Sequence, residues 1–209
     1  MTVFPLNLKN MLERAPSFFA KKEIISRQTD GSLHRYTYGD YYRRVCRLAN
    51  VLKRLGIRRG DRVATFAWNT YRHFELYFGV PCYGAVLHTV NIRLSVDHIA
   101  YIMNHAEDQA VFLDPDLLPV MEKVAPHLKT VKHFIVLSEH VPETTLPSVS
   151  SYEQLLSQEE ENYDFPTLDE NHPAGMCYTS ATTGNPKGVV YTHRSIYLHT
   201  SQLCFVDSM

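Results

Sequence analysis

The chain has 209 residues, 44% of them hydrophobic, with a formal net charge of −1. That is enough to bury the core of one domain, or of one domain and part of another. A balance so close to neutral excludes a binder that grips nucleic acid by neutralising phosphates, which needs a surplus of Lys and Arg. Cys46, Cys82, Cys177 and Cys204 lie far apart, without a C-x-x-C pair. Neither a disulfide framework nor a thiolate metal site is expected, and the cytoplasm is the expected compartment. Met1 to Pro16 carries Lys9, Glu13 and Arg14 and lacks the apolar stretch of a signal peptide. No apolar run is long enough to cross a bilayer.

Along the chain, Tyr41, Val45, Leu48, Leu52 and Leu55 recur every three or four residues, which predicts a helix. Thr37 with Asp40 supplies its N-cap and Gly56 its stop. Arg44, Arg47, Arg54 and Arg58 lie opposite the apolar stripe and are expected to form a solvated face. Arg62 to Trp68 reads as a strand, and Tyr71 to Tyr83 as a helix that Pro81 should bend or end. Val86 to Val90 is a strand, and Ile99, Ile102, Met103 and Ala106 mark a helix opened by Ser95. Ala110 to Leu113 is a strand, Leu117 to Val124 a helix and Phe134 to Leu137 a strand. Residues 138–172 read as an acidic, partly irregular connection with one short helix near Tyr152 to Leu156. From His133 to Pro186 there is no Lys or Arg, while Glu159, Glu160 and Glu161 run together. Strands alternating with helices predict an α/β fold, a doubly wound, mostly parallel sheet with helices on both faces. The eleven histidines form no ligand set and are expected at caps or on the surface. Tyr36, Tyr38, Tyr41 and Tyr42 are expected to pack.

The chemistry concentrates between Met176 and Val190. An apolar strand leads into Thr179, Ser180, Ala181, Thr182 and Thr183, then Gly184-Asn185-Pro186-Lys187-Gly188, then a second apolar strand. Such a loop directs backbone N–H groups, hydroxyls and one ammonium at a single small volume, which is what a polyphosphate requires. Gly184 and Gly188 permit close backbone approach, and Lys187 is a mobile point charge. No Walker A loop and no G-x-G-x-x-G is present.

Tyr178 to Val189 closely resembles the signature loop of the adenylate-forming enzymes: acyl-CoA synthetases, luciferases and the adenylation domains of peptide synthetases. Tyr77 to Val86, His88 to Leu94, Ala100 to Asp108 and Val190 to Ser195 extend the resemblance, which is greatest to the medium- and long-chain fatty acyl-CoA synthetases. Ala181 stands where that family usually has Gly. The resemblance implies that residues 1–209 are the N-terminal portion of an AMP-binding domain. The family's adenine-binding motifs, most of its acyl pocket and its C-terminal domain would lie beyond Met209. It implies ATP, Mg²⁺ and CoA as cosubstrates and cofactors, and a fatty acid as the acid activated. Thr179, Ser180, Thr182, Thr183, Gly184 and Lys187 would hold the phosphates, with Ser180 or Thr182 near Mg²⁺. No catalytic residue is expected within these residues, and alone they are expected to make no acyl-CoA. A homo-oligomer is a further expectation. The same chemistry on an aryl or amino acid, and a non-catalytic regulatory or assembly module, are the alternatives.

Overall fold

The computed structural model describes residues 4–179 and 185–206. Its first elements carry little sequence signal: α1 (Leu8–Phe19) and an antiparallel ribbon of β1 (Glu23–Arg27) and β2 (Leu33–Thr37). At Thr37 the side chain accepts from the Asp40 N–H (3.2 Å) while Asp40 Oδ2 accepts from the Thr37 N–H (2.9 Å). This reciprocal capping box starts α2 (Tyr38–Arg54), and Gly56 at φ +73° turns the chain out of it. There follow β3 (Arg62–Phe66), α3 (Tyr71–Tyr83), β4 (Val86–Thr89), α4 (Val96–Ala106), β5 (Asp108–Leu113), α5 (Leu118–Val124) and β6 (His133–Val136). Pro81 does not end α3. It lies in the last turn, where its missing N–H removes one hydrogen bond, and Gly84 at φ +108° closes the helix three residues later.

The acidic connection is more ordered than its composition suggests. It contributes β7 (Val149–Ser151) and α6 (Tyr152–Ser157) before the chain enters β8 (Pro173–Tyr178), β9 (Gly188–Thr192) and α7 (His193–Val206). The main sheet has the order β7-β6-β5-β3-β4-β8-β9, parallel except for the β8–β9 hairpin. The chain leaves β3 for β4 on one side and then crosses to β5 on the other, so the sheet is doubly wound. Val63, Ala110, Phe112 and Ile135 face α2, α3 and α6. Ala64, Phe66, Val111 and Leu113 face α4 and α5. Period-two alternation along the central strands thus supplies two buried faces, and helices cover both. Tyr36 and Tyr41 are buried in a third cluster with α1, and Tyr38 and Tyr42 pack against it.

Of the arginines expected to form a solvated face on α2, Arg44 is drawn inward, Arg47 is half-buried and Arg54 stays exposed. Arg44 Nε meets Glu75 (2.6 Å) and its other nitrogens grip both oxygens of Glu153; Arg47 pairs with Glu161 (2.9 Å) and Arg54 with Glu159 (2.7 Å). The segment without Lys or Arg thus lies against the arginine-rich helix, its acidic residues pairing across more than 100 positions of sequence. Arg58 remains exposed.

Candidate functional site

β8 and β9 bring Thr179 and Lys187, two of the residues expected to meet phosphate, to the carboxyl ends of β3 and β4, the edge where ligands bind in open parallel sheets. Tyr178 on β8 stands opposite Gly188 on β9. Beyond that pair the Thr179 N–H donates to the Lys187 carbonyl at 3.1 Å, and the Thr179 hydroxyl lies 3.5 Å from the same oxygen. Lys187 is exposed and forms no ion pair with any described residue. Its ammonium is therefore available to an external anion. Of the expected phosphate ligands, Thr179 and Lys187 are thus placed at the mouth of one hairpin. Ser180, Thr182, Thr183 and Gly184, with Ala181, lie outside the described residues, and so does the expected Mg²⁺ position. Among the described residues no cluster of three or more His, Cys, Asp or Glu is arranged to hold a metal ion.

Beside the mouth, a crevice of about 330 Å³ opens between the ends of β3, β4 and β8, lined in part by Asn69, His73, Thr89, Asn91 and Tyr178. His73 is buried there, and burial lowers its pKa. As a neutral ring it donates from Nδ1 to the Trp68 carbonyl and accepts at Nε2 from the Thr65 hydroxyl, both at 3.0 Å. Adjoining it, and sharing Tyr77, Thr89 and Cys177, lies a second cavity of about 670 Å³, largely apolar, between Tyr77, Phe78, Pro81, Leu87, Met176 and Ile196.

The histidines correct the surface expectation. His73, His88 and His193 are buried. His88 Nδ1 meets Asp108 Oδ2 at 2.7 Å, with neither side chain exposed, and burial raises the Asp108 carboxyl. The Tyr178 ring packs 5.3 Å from the His88 ring, and its hydroxyl lies 2.6 Å from His105 Nδ1. Burial pushes the Tyr178 hydroxyl up to about 12, so at neutral pH it keeps its proton and can donate a hydrogen bond to Nδ1 of the His105 tautomer protonated at Nε2.

Sequence comparison decides the kinship of this hairpin. The description of the AMP-binding enzyme family matches residues 12–208. This chain belongs to the AMP-binding enzyme family. A long-chain-fatty-acid–CoA ligase of Thermus thermophilus is 49% identical over 97% of this chain and 36% of its own length. A medium-chain-fatty-acid–CoA ligase of Ectopseudomonas oleovorans is 38% identical over 98% of this chain and 38% of its own length. The chain therefore spans little more than a third of these curated relatives. An anthranilate CoA ligase in complex with anthranoyl-AMP shares the fold, with a TM-score of 0.81 at 22% identity over 92% of this chain and 36% of that one.

Within this AMP-binding chain, sequence reading missed the supports of the hairpin: His105, His88 and Asp108. A signal existed for one of them. His88 interrupts the apolar run Val86-Leu87, and a titratable residue inside a central strand requires a buried partner.

Proposed function

We propose that the β8–β9 hairpin holds the β- and γ-phosphates of ATP in an enzyme that activates a fatty acid as its acyl-adenylate and passes it to CoA. Residues 1–209 would form the N-terminal portion of its AMP-binding domain. The observation that carries this reading is Lys187, exposed and without an ion pair, at the mouth of a hairpin whose two sides are joined by the Thr179–Lys187 hydrogen bond.

In the reaction, a carboxylate oxygen attacks the α-phosphorus and the bond to the bridging oxygen breaks. Its electron pair leaves with pyrophosphate. The CoA sulfur then attacks the acyl carbon, AMP departs, and the thiol proton passes to solvent. Negative charge grows on the leaving pyrophosphate, so a fixed ammonium and converging N–H and O–H donors stabilise the transition state more than the ground state. The hydroxyl set Ser180, Thr182 and Thr183 suits a hard cation, and Mg²⁺ bound by Ser180 or Thr182 would supply further charge neutralisation.

A fatty acid is favoured over an amino acid by the 670 Å³ cavity beside β8, whose lining is largely apolar. The buried thiols of Cys46 and Cys82, without a disulfide among the described residues, favour the cytoplasm. No described helix is long and apolar enough to cross a membrane. A homo-oligomer would form through β9, at the open edge of the sheet.

Calorimetry of the chain with ATP, pyrophosphate and AMP tests the phosphate role. Pyrophosphate and ATP should bind better than AMP, binding should weaken as salt rises, and Lys187→Ala should cost about tenfold or more in affinity. Equal affinity for AMP and pyrophosphate, or no effect of Lys187→Ala, would remove the hairpin from this role.

A further inference from the structure

We propose that Tyr178 and His105 form a positioning pair that fixes the phosphate-gripping hairpin to the end of α4 and thereby sets its affinity for polyphosphate. The inference rests on the phosphate reading above and adds residues to it that make no contact with phosphate.

Tyr178 is the last residue of β8, immediately before Thr179. Three contacts hold its ring. Its hydroxyl reaches His105 Nδ1 at 2.6 Å, across 73 positions of sequence. One side of the ring lies near His88, which Asp108 in turn anchors to the start of β5. The ring also lies across the facing strand: a Cβ added to Gly188 would come within 3.1 Å of the Tyr178 ring carbon Cζ and 3.3 Å of its hydroxyl oxygen. A side chain at that position would press the Tyr178 ring aside by a few tenths of an ångström, so glycine there suits the close contact with Tyr178. The ring spans the hairpin beside the Thr179–Lys187 hydrogen bond, so whatever holds the ring holds both sides of the mouth.

Among the described residues β9 has its other edge unpaired, and its residues from Gly188 to Tyr191 are exposed. The connection to α4 therefore adds a restraint at the end of the hairpin where Thr179 and Lys187 stand together as donors. A preorganised site loses less conformational entropy on binding, and affinity rises without any new contact to the ligand. His88, buried behind the ring with Nε2 lacking a partner among the described residues, gives the ring a fixed wall rather than a second hydrogen bond.

The test combines amide hydrogen exchange with pyrophosphate calorimetry on the 209-residue chain and four variants: Tyr178→Phe, His105→Ala, the double variant, and His105→Asn. Asn offers an acceptor near the position of Nδ1. Tyr178→Phe and His105→Ala should each lower protection of the Thr179 amide and weaken pyrophosphate binding by about three- to tenfold, the range of one hydrogen bond. The double variant should be no worse than either single one, and His105→Asn should recover most of the affinity. Rescue and non-additivity separate positioning from general loss of structure, because a merely destabilised chain would show neither. Wild-type affinity in Tyr178→Phe, unchanged Thr179 protection, or additive losses would overturn the pair while leaving the phosphate reading intact. A wild-type chain that fails to bind pyrophosphate would overturn that reading, and the pair's role with it.

Discussion

Glu75 on α3 is wholly buried, yet its carboxylate meets Arg44 from α2 at 2.6 Å and the Tyr152 hydroxyl from α6 at 2.7 Å. Three helices on one face of the sheet are thus joined at one charge. Burial pushes the Glu75 pKa up to about 7, against the pull of Arg44 and Tyr152. Truncating Arg44 would leave an uncompensated buried carboxylate, so Arg44→Met should cost about 3–5 kcal/mol at neutral pH. Glu75→Gln in that background should regain part of it. The sign of the pH dependence follows from the raised folded value. The contribution is full below the ordinary carboxyl value of 4.5 and is lost as pH rises through about 7. Arg44 holds the Glu75 value down, so between pH 7 and 8.5 urea denaturation should show a steeper decline in Arg44→Met than in the parent chain, where the group has already ionised. Equal slopes would mean that Glu75 does not titrate in that window. None of this is legible locally, because Arg44 finds Glu75 31 positions away and Glu153 109 positions away.

Among the elements, β9 is the one least satisfied by this fold. It pairs with β8 on one edge only, and Val189, Val190 and Tyr191 are 38%, 53% and 43% exposed. An open apolar edge is a template for another strand. Light scattering should show association that rises with concentration, and Val190→Lys should reduce it by placing a charge on the edge. Persistence of the monomer at high concentration in the parent chain would sink this expectation. Sequence periodicity found α2, α3 and α4 and the central strands to within two residues, because each buries a stripe or alternating face longer than its end effects. β7 escaped since three residues among prolines and serines carry no period, and the β1–β2 ribbon because its strands are largely exposed. In the proposed site, the hydroxyls, glycines and Lys187 stand out in sequence because a polyphosphate would demand those types in one loop. The pairs Tyr178–His105 and His88–Asp108 were not, since each is made by the sheet's order rather than by neighbours in sequence.

At the scale of the whole molecule, the first described residues are tied to the last helix. The Leu8 N–H donates to His193 Nδ1 at 3.3 Å across 185 positions, the Leu6 N–H to Glu170 at 2.8 Å, and the Asn7 amide to the Leu168 carbonyl at 3.0 Å. Arg194, beside His193 on α7, completes the fastening by pairing with Glu170. His193 is buried, and burial first, then His172 and Arg59, lower its pKa to about 4. For a base with a depressed folded value, the contribution to stability is present above the ordinary value of 6.5 and is lost as pH falls through about 4. Protonation would also occupy Nδ1 and remove the acceptor of the Leu8 N–H. The Leu6 N–H and Arg194 hold the Glu170 carboxyl below the usual range. Acid should therefore release residues 4–12 before the central strands open, because Ala64 in β3 and Val111 in β5 sit wholly buried in an apolar cluster. Amide exchange, corrected for the intrinsic pH dependence, should show protection at Leu8 falling between pH 6.5 and 4 while Ala64 and Val111 remain protected. His193→Asn supplies an acceptor at the same position without a proton to gain, and should flatten that acid step. An unchanged step in His193→Asn would assign the release to another group.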